Sequence, residues 1–415
     1  MTHSIVKALQ AVRSALGSGT TGRLGLDEYQ SLASLTYKGD LVGAEKTEFL
    51  LLGLYGEVGS LLSELKKKQR DRGAYTAYAH SAVEETGDVL WYLANLADVL
   101  GVRLSELAVG SGLTSAHHGG GAAFADLEPQ AALFEEPASG PAVQRRLLEL
   151  AGLTGRVVRH AQHAKDLALL KGDLAEVLAA IVSAAQQAHV SLERAATENL
   201  VKLLDRWPVR RVWGRLYDDD FHPDERLPRS LEVVFREREV RGTVYAFQSV
   251  KGVNVGDRLT DNSPVEDDYR FHDVFHLAFA AILGWSPVLR ALLKVKRKSD
   301  SWVDEQQDGA RAIITEEGIS NWIFSHGLRH DAFEAVDSLD FSLLKTVREM
   351  VKGYEVHDRP LWMWEHAVLR GFDVFRQLKL HRGGAVRADL IARTLEFTPP
   401  VADPSDNGAD APIAG

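Results

Sequence analysis

The chain contains no cysteine. This excludes a disulfide scaffold, a thiolate zinc site and a cysteine nucleophile. Any metal must therefore be held by carboxylate, imidazole or carbonyl groups. No run approaches the ~20 apolar residues of a membrane span. The opening MTHSIVKALQAVRSALGSG is helical in pattern but lacks a signal-peptide core. A soluble protein of the cytoplasm is the default expectation. Excess positive charge is also missing: 48 basic against 58 acidic residues leave −10. There is thus no strong nucleic-acid signal, and a phosphorylated substrate would need positive charge supplied locally. The composition is otherwise that of a globular protein, 45% hydrophobic and 26% charged over 415 residues. That length suggests two or three domains.

Composition shifts place the boundaries. Residues 109–141 are rich in Gly, Ala and Pro and read as a flexible linker with a helical turn near Ala131 to Phe134. Residues 398–415 read as a disordered tail. Residues 1–108 and 142–206 carry apolar residues at helical spacing, such as Leu51, Leu54, Val58, Leu61 and Leu65. Beyond Trp207, LEVVFRERE and GTVYAFQ read as a hairpin turning near Arg241-Gly242. Helical patterns return from about Asp267. Six of the eight tryptophans lie in residues 207–397 beyond Trp207 itself, which points to a separate domain with its own core. The expected fold is mainly α: a helical bundle followed by an α+β C-terminal domain.

Two groups of acids lie on successive helices. Glu85 and Asp88, three apart in VEETGDVLWYLANLA, share a helix face. Glu57 projects from GLYGEVGSLLSELKK on the preceding helix, with Glu64 two turns further along. Converging acids call for cations, and hard divalent ions such as Mg²⁺ suit oxygen ligands. Gly56, Gly59 and Gly87 stand beside these acids, where an interior helix glycine costs ~1 kcal/mol relative to Ala. Close approach of a backbone or ligand is the expectation. Lys66, Lys67, Lys68, Arg70 and Arg72 follow as local positive charge.

DEYQSLASLT, GLYGEVGSLLSELKKK and EETGDVLWYLANLADVLGVRLSELA together resemble the MazG-like all-α nucleoside triphosphate pyrophosphohydrolases. The likeness covers about Leu24 to Ala108 and part of Ala142 to Arg206. The family motif is Glu-x-x-Glu followed by Glu-x-x-Asp. Glu57 matches its first acid, Glu85 and Asp88 its last two, and the second acid falls on Ser60. Glu64 stands in a different register as a substitute ligand. ATENLVKLLDRWP resembles the family's closing Asn-Leu-x-Lys-Leu-x-x-Arg segment and contributes Asn199 and Lys202. The resemblance implies Mg²⁺ (or Mn²⁺) on Glu57, Glu85, Asp88 and Glu64. It implies substrate contacts from Lys67, Asn199 and Lys202. The reaction implied is hydrolysis of a nucleoside triphosphate to a monophosphate and pyrophosphate, for nucleotide-pool cleaning or for nucleotide-linked defence or signalling. A nucleotide sensor with weak or no turnover is the alternative.

The helical pattern occurs twice. LELAGLTGRVVRHAQ resembles LLGLYGEVGSLLSEL, and LKGDLAEVLAAIVSAAQQAHVSLERAA resembles the Glu85/Asp88 helix. Asp173 then matches Glu85, Glu176 matches Asp88, and Arg156 and Arg159 fall where Glu57 and Ser60 stood. The expectation is a duplicated MazG-like bundle, with an active and a degenerate copy forming an internal pseudo-dimer, or a homo-oligomer.

A second constellation lies downstream. YRFHDVFHLAFAAILGWSP puts His272 and His276 four apart with Asp273 between them. ARAIITEEGISNWIFSH adds Glu316, Glu317 and His326. Arg290, Lys294, Lys296, Arg297 and Lys298 form a basic stretch nearby in sequence. This set reads either as a metal and phosphate site, making the C-terminal domain a metal-dependent enzyme, or as core histidines beside a solvated charged face. The C-terminal part resembles the extension domain of MazG-like proteins.

Overall fold

A computed structural model describes residues 23–115, 121–127, 137–163, 166–208 and 210–400. The helical N-terminus, the turn expected at Ala131 to Phe134 and the tail beyond Pro400 lie outside the described residues. The chain divides into two compact units, Met1–Val209 and Arg210–Gly415.

The described part of the first unit is helical. α1 (Leu26–Thr36) leads into α2 (Gly43–Asp71), a short turn and α3 (Tyr78–Val99). α4 (Leu104–Gly110) and the one-turn α5 (Phe124–Leu127) precede a second long pair, α6 (Pro141–His163) and α7 (Leu167–Ala188). α8 (Leu192–Arg206) closes the unit. Leu50, Leu54, Val58, Leu61 and Leu65 of α2 recur every three to four residues and are buried. They share one core with Val83, Leu90 and Leu93 of α3 and Leu174, Leu178 and Ile181 of α7. Two side-chain caps set helix starts. The Asp166 carboxylate accepts from the Ala168 amide at 2.9 Å, and the Ser191 hydroxyl from the Arg194 amide at 3.2 Å. His189, at φ 57°, ends α7 in the left-handed region.

Part of the expected linker is core. Leu26 N–H donates to the Ala122 carbonyl at 2.8 Å, and Phe124 N–H donates to the Leu24 carbonyl at 3.1 Å. The Phe124 ring is buried edge-on against Tyr29, 5.2 Å away. Residues 121–127 are therefore tied to α1, although their Gly- and Ala-rich surroundings suggested a free connection.

The second unit carries a five-stranded antiparallel sheet in the order β3-β2-β1-β4-β5. β1 (Ser230–Val240) and β2 (Thr243–Val250) form the expected hairpin. Its turn residues Arg241 and Gly242 both have positive φ, which suits a tight two-residue connection. β3 is Val253–Asn254, and β4 (Gly383–Asp389) and β5 (Thr394–Thr398) complete the sheet from the far end of the chain. Val386, Ala388 and Leu395 of these strands pack in one core with Phe372, Phe375 and Leu378 of α14 (Leu361–His381). The helices between the sheet halves are α9 (Asp273–Ala278), α10 (Pro287–Leu293), α11 (Ser301–Gln306), α12 (Ala310–Leu328) and α13 (Phe341–Met350). A π-helical turn, Phe279–Leu283, extends α9 through the core. Trp285, Trp362 and Trp364 are buried there, whereas Trp302 is exposed.

The molecule is thus mainly α-helical with an α+β C-terminal unit. Among the described residues no single helix is long and apolar enough to cross a membrane.

Candidate functional site

α2 and α3 run side by side and bring three acids together. Ligand oxygens of Glu57, Glu85 and Asp88 all lie within 4.8 Å of one another. Burial, followed by repulsion from Asp88 and Glu57, pushes the Glu85 carboxyl up to about 8. Burial and Asp88 also raise Glu57, which Ser60 moderates through its hydroxyl. Burial raises Asp88 even though Lys202 and Asn199 pull the other way. Burial and repulsion thus disfavour the ionised forms of these acids, a cost that a bound divalent cation would relieve. Three carboxylate oxygens are a donor set that suits a hard divalent cation.

α8 supplies the other side. Lys202 Nζ donates to both Asp88 oxygens, at 2.5 and 2.6 Å, and lies 3.6 Å from Glu84 Oε1. Asn199 Nδ2 donates to Asp88 Oδ1 at 2.7 Å. The Tyr29 hydroxyl donates to Asn199 Oδ1 at 3.2 Å. α1, α3 and α8 therefore fix Asn199 and Lys202 at the acids, although more than a hundred residues separate them in sequence. Sequence reading placed Glu57, Glu85, Asp88, Asn199 and Lys202 individually. It missed Glu84 and Tyr29. Glu84 stands four residues before Asp88, on the same helix face, and that spacing could have revealed it.

Glu64 and Lys67 are engaged with each other. Lys67 Nζ donates to Glu64 Oε1 at 2.5 Å, and the Tyr75 hydroxyl donates to Glu64 Oε2. Glu64 is buried in that pairing and is not in the three-acid group. Its different register along α2 accounts for this.

Of the three glycines beside the acids, Gly87 is where backbones meet. A Cβ there would stand 2.5 Å from the Ala195 carbonyl oxygen and 2.8 Å from Asn199 Cβ. At Gly56 and Gly59 an added Cβ meets nothing within 4 Å, so the expected close approach of a backbone is absent at these two. Gly87→Ala is expected to push α8 off α3 and destabilise the protein by about 1–3 kcal/mol. Denaturant unfolding checks this, with Gly56→Ala unchanged or stabilised as the contrast.

The acids also give a pH signature. Glu85 has a folded pKa of about 8, above the ~4.3 of an unfolded chain. Its favourable contribution is complete below the unfolded value and is lost as pH rises through about 8. In chelator, the melting temperature of Glu85→Gln should therefore gain on the wild type between about pH 5 and pH 8. A constant difference across that range would contradict the reading.

The second helix pair carries a different arrangement. Arg156 Nε donates to Asp173 Oδ1 at 2.9 Å, Arg156 also binds Glu176, and His160 Nδ1 lies 2.6 Å from Asp173 Oδ2. Here the cation is built into the chain.

The C-terminal unit holds a histidine and glutamate cluster able to coordinate a metal: His272, His276 and Glu317. Asp273 Oδ1 is 3.1 Å from His272 Nε2. Glu316 is fully buried and faces the other ring nitrogen, accepting at 2.9 Å from His276 Nδ1, at 2.7 Å from Ser286 and at 2.8 Å from the Val288 amide. His326 lies beside Trp322 and His330 instead, with the rings tilted to one another. In the basic stretch Lys294 and Lys298 are exposed, as the solvated-face reading expected, but the two arginines differ from both sequence readings. Arg290 and Arg297 are buried, paired with Asp218 at 2.8 Å and Asp308 at 2.6 Å respectively, and Arg297 also reaches Glu355 at 2.8 Å. Neither is a solvated face or a free phosphate ligand, because the loops around them supply buried carboxylates.

Residues 213–401 match the MazG C-terminal domain, so the second unit is a domain of that class. The chain belongs to the same family as the Gene 37 protein of Mycobacterium phage L5, to which it is 38% identical over 88 residues, covering 20% of this chain and 77% of the phage protein. No solved structure matches the chain.

Proposed function

We propose that the first unit hydrolyses nucleoside triphosphates to a nucleoside monophosphate and pyrophosphate with Mg²⁺. The observation that carries this reading is the convergence of Glu57, Glu85 and Asp88 beside Lys202, from helices whose sequence resembles the MazG-like pyrophosphohydrolases. Mg²⁺ (or Mn²⁺) held by the three carboxylates would supply positive charge to the polyphosphate and acidity to water. Lys202, which lies along Asp88, is placed to transfer its charge to a phosphate oxygen when a divalent cation takes over the carboxylate. Asn199, steadied by Tyr29, keeps Asp88 oriented. Phe49, 40% exposed, and Tyr92 (6.4 Å between ring centroids) offer a surface for the nucleobase beside the acids. Tyr92 lies close enough to Glu57 and Asp88 for them to raise its hydroxyl further after burial has done so, to about 12. The reaction places water on one phosphorus of the α–β bridge, breaks that phosphorus's bond to the bridging oxygen and yields the monophosphate and pyrophosphate.

The two helix pairs fit a duplication in which the second copy has lost its site. Arg156 stands at the position of Glu57 and satisfies Asp173 and Glu176 internally, so that copy serves as scaffold for the pseudo-dimer.

The test is pyrophosphate release from a panel of canonical and modified nucleoside triphosphates with Mg²⁺. Lys202→Ala is expected to raise KM by about tenfold or more, because a charged phosphate contact is lost. Unchanged KM and unchanged binding would remove Lys202 from the substrate site. Binding without turnover in the wild type would instead identify a nucleotide sensor.

A further inference from the structure

The C-terminal cluster has a feature that a buried ion pair does not explain. His276 is fully buried, and its Nε2 has no hydrogen-bond partner. Glu317 Oε2 and Asp273 Oδ1 stand at 3.5 and 4.0 Å from it, too long for good hydrogen bonds. A buried polar nitrogen left in this way is costly unless another atom completes it.

The rest of the cluster surrounds the same point. His272 Nε2 lies 3.1 Å from Asp273 Oδ1 and 3.9 Å from Glu317 Oε2. Two imidazole nitrogens and two carboxylate oxygens thus alternate in a ring, with neighbouring separations of 3.1 to 4.0 Å. Donors about 2.0–2.2 Å from one tetrahedral ion lie roughly 3.4 Å apart, and the two histidine nitrogens, at 3.5 and 3.9 Å from Glu317 Oε2, stand near that separation with all three atoms within 4.8 Å of one another.

The outer contacts suit ligation too. His276 Nδ1 faces Glu316, whose carboxylate is held by Ser286 and the Val288 amide. His272 Nδ1 lies 2.8 Å from the Tyr269 carbonyl, and its ring stacks on Tyr269. Gln248 Nε2 holds the other Asp273 oxygen at 2.5 Å. Such partners fix the tautomer that leaves each Nε2 free for a metal. Asp273, His272 and His276 come from one turn at the start of α9, and Glu317 comes from α12. Glu317 is 43% exposed, so the cluster opens to solvent on that side.

We propose that the C-terminal unit binds a divalent transition metal of the zinc class through His272 Nε2, His276 Nε2 and Glu317, with Asp273 beside the two histidines and the solvent side accessible to an exchangeable water or ligand. The mixed imidazole and carboxylate set favours such an ion over Mg²⁺, which prefers oxygen donors. This centre uses none of the residues of the triphosphate site, so the two readings stand or fall separately.

The experiment uses the full chain, stripped with a chelator and titrated with Zn²⁺ against a chromophoric competitor, with Co²⁺ as a spectroscopic substitute. The expected result is one tight equivalent per chain, visible Co²⁺ absorption bands and a higher melting temperature with Zn²⁺. His272→Ala and Glu317→Gln should each weaken that equivalent by about 10–100-fold or more and alter the Co²⁺ bands. Glu57→Gln should leave it in place. Glu317→Gln, at a half-exposed side chain, keeps the test valid if His272→Ala does not fold. No stoichiometric uptake of Zn²⁺ or Co²⁺ by the folded wild type would overturn the proposal, as would tight uptake that both variants leave unchanged.

Discussion

Glu57→Gln, Glu85→Gln and Asp88→Asn should each cut pyrophosphate release by about 10²–10³-fold or more while the protein stays folded. Each amide keeps the shape of the side chain and removes one charge from the group whose oxygens meet within 4.8 Å. Folding should survive because burial and mutual repulsion already disfavour the ionised forms of all three acids. A fall in activity together with an equal or higher melting temperature therefore separates a functional site from a structural one. Residues that act as one unit are also non-additive. The Glu57→Gln/Asp88→Asn pair should be little worse than either change alone. Activity within about twofold of wild type in any single variant would remove that acid from the site.

Arg297→Leu should destabilise the C-terminal unit by about 3–5 kcal/mol, because it strands a buried carboxylate. Arg297 is 1% exposed and binds Asp308, itself fully buried, and Glu355. Denaturant unfolding of the full chain, followed by the tryptophans that six-to-two favour this unit, measures the loss. Arg297→Leu should do this without changing triphosphate hydrolysis by the folded protein. A cost below about 1 kcal/mol would restore the solvated-face reading of the basic stretch.

The helices of the first unit were legible because apolar residues recur every three to four positions, and the acids because Glu85 and Asp88 share a face. Asn199 and Lys202 were reachable only through family resemblance. No local spacing states that α8 returns to α3, and Gly87, the contact that permits it, looks from sequence like Gly56 and Gly59. Glu64 shows the limit of register arguments: it lies one turn beyond Ser60, yet the Tyr75 hydroxyl and Lys67 hold it elsewhere. The β1–β2 hairpin was visible from its turn. β4 and β5 were not, since they are seven and five residues long and β4 finds its partner β1 more than a hundred residues away. The burial of Arg290 and Arg297 was hidden because Asp218 and Glu355 lie 72 and 58 residues from the arginines they pair with, and because no periodicity shows that Asp308, 11 residues from Arg297, folds back onto it.

The most direct measurement is the product balance. The wild-type chain is incubated with Mg²⁺ and a nucleoside triphosphate, and nucleoside monophosphate, diphosphate, pyrophosphate and phosphate are quantified together. The expected result is monophosphate and pyrophosphate in equal amounts, lost in Asp88→Asn. Diphosphate with free phosphate, or equal release by Asp88→Asn, would contradict a pyrophosphohydrolase site at Glu57, Glu85 and Asp88.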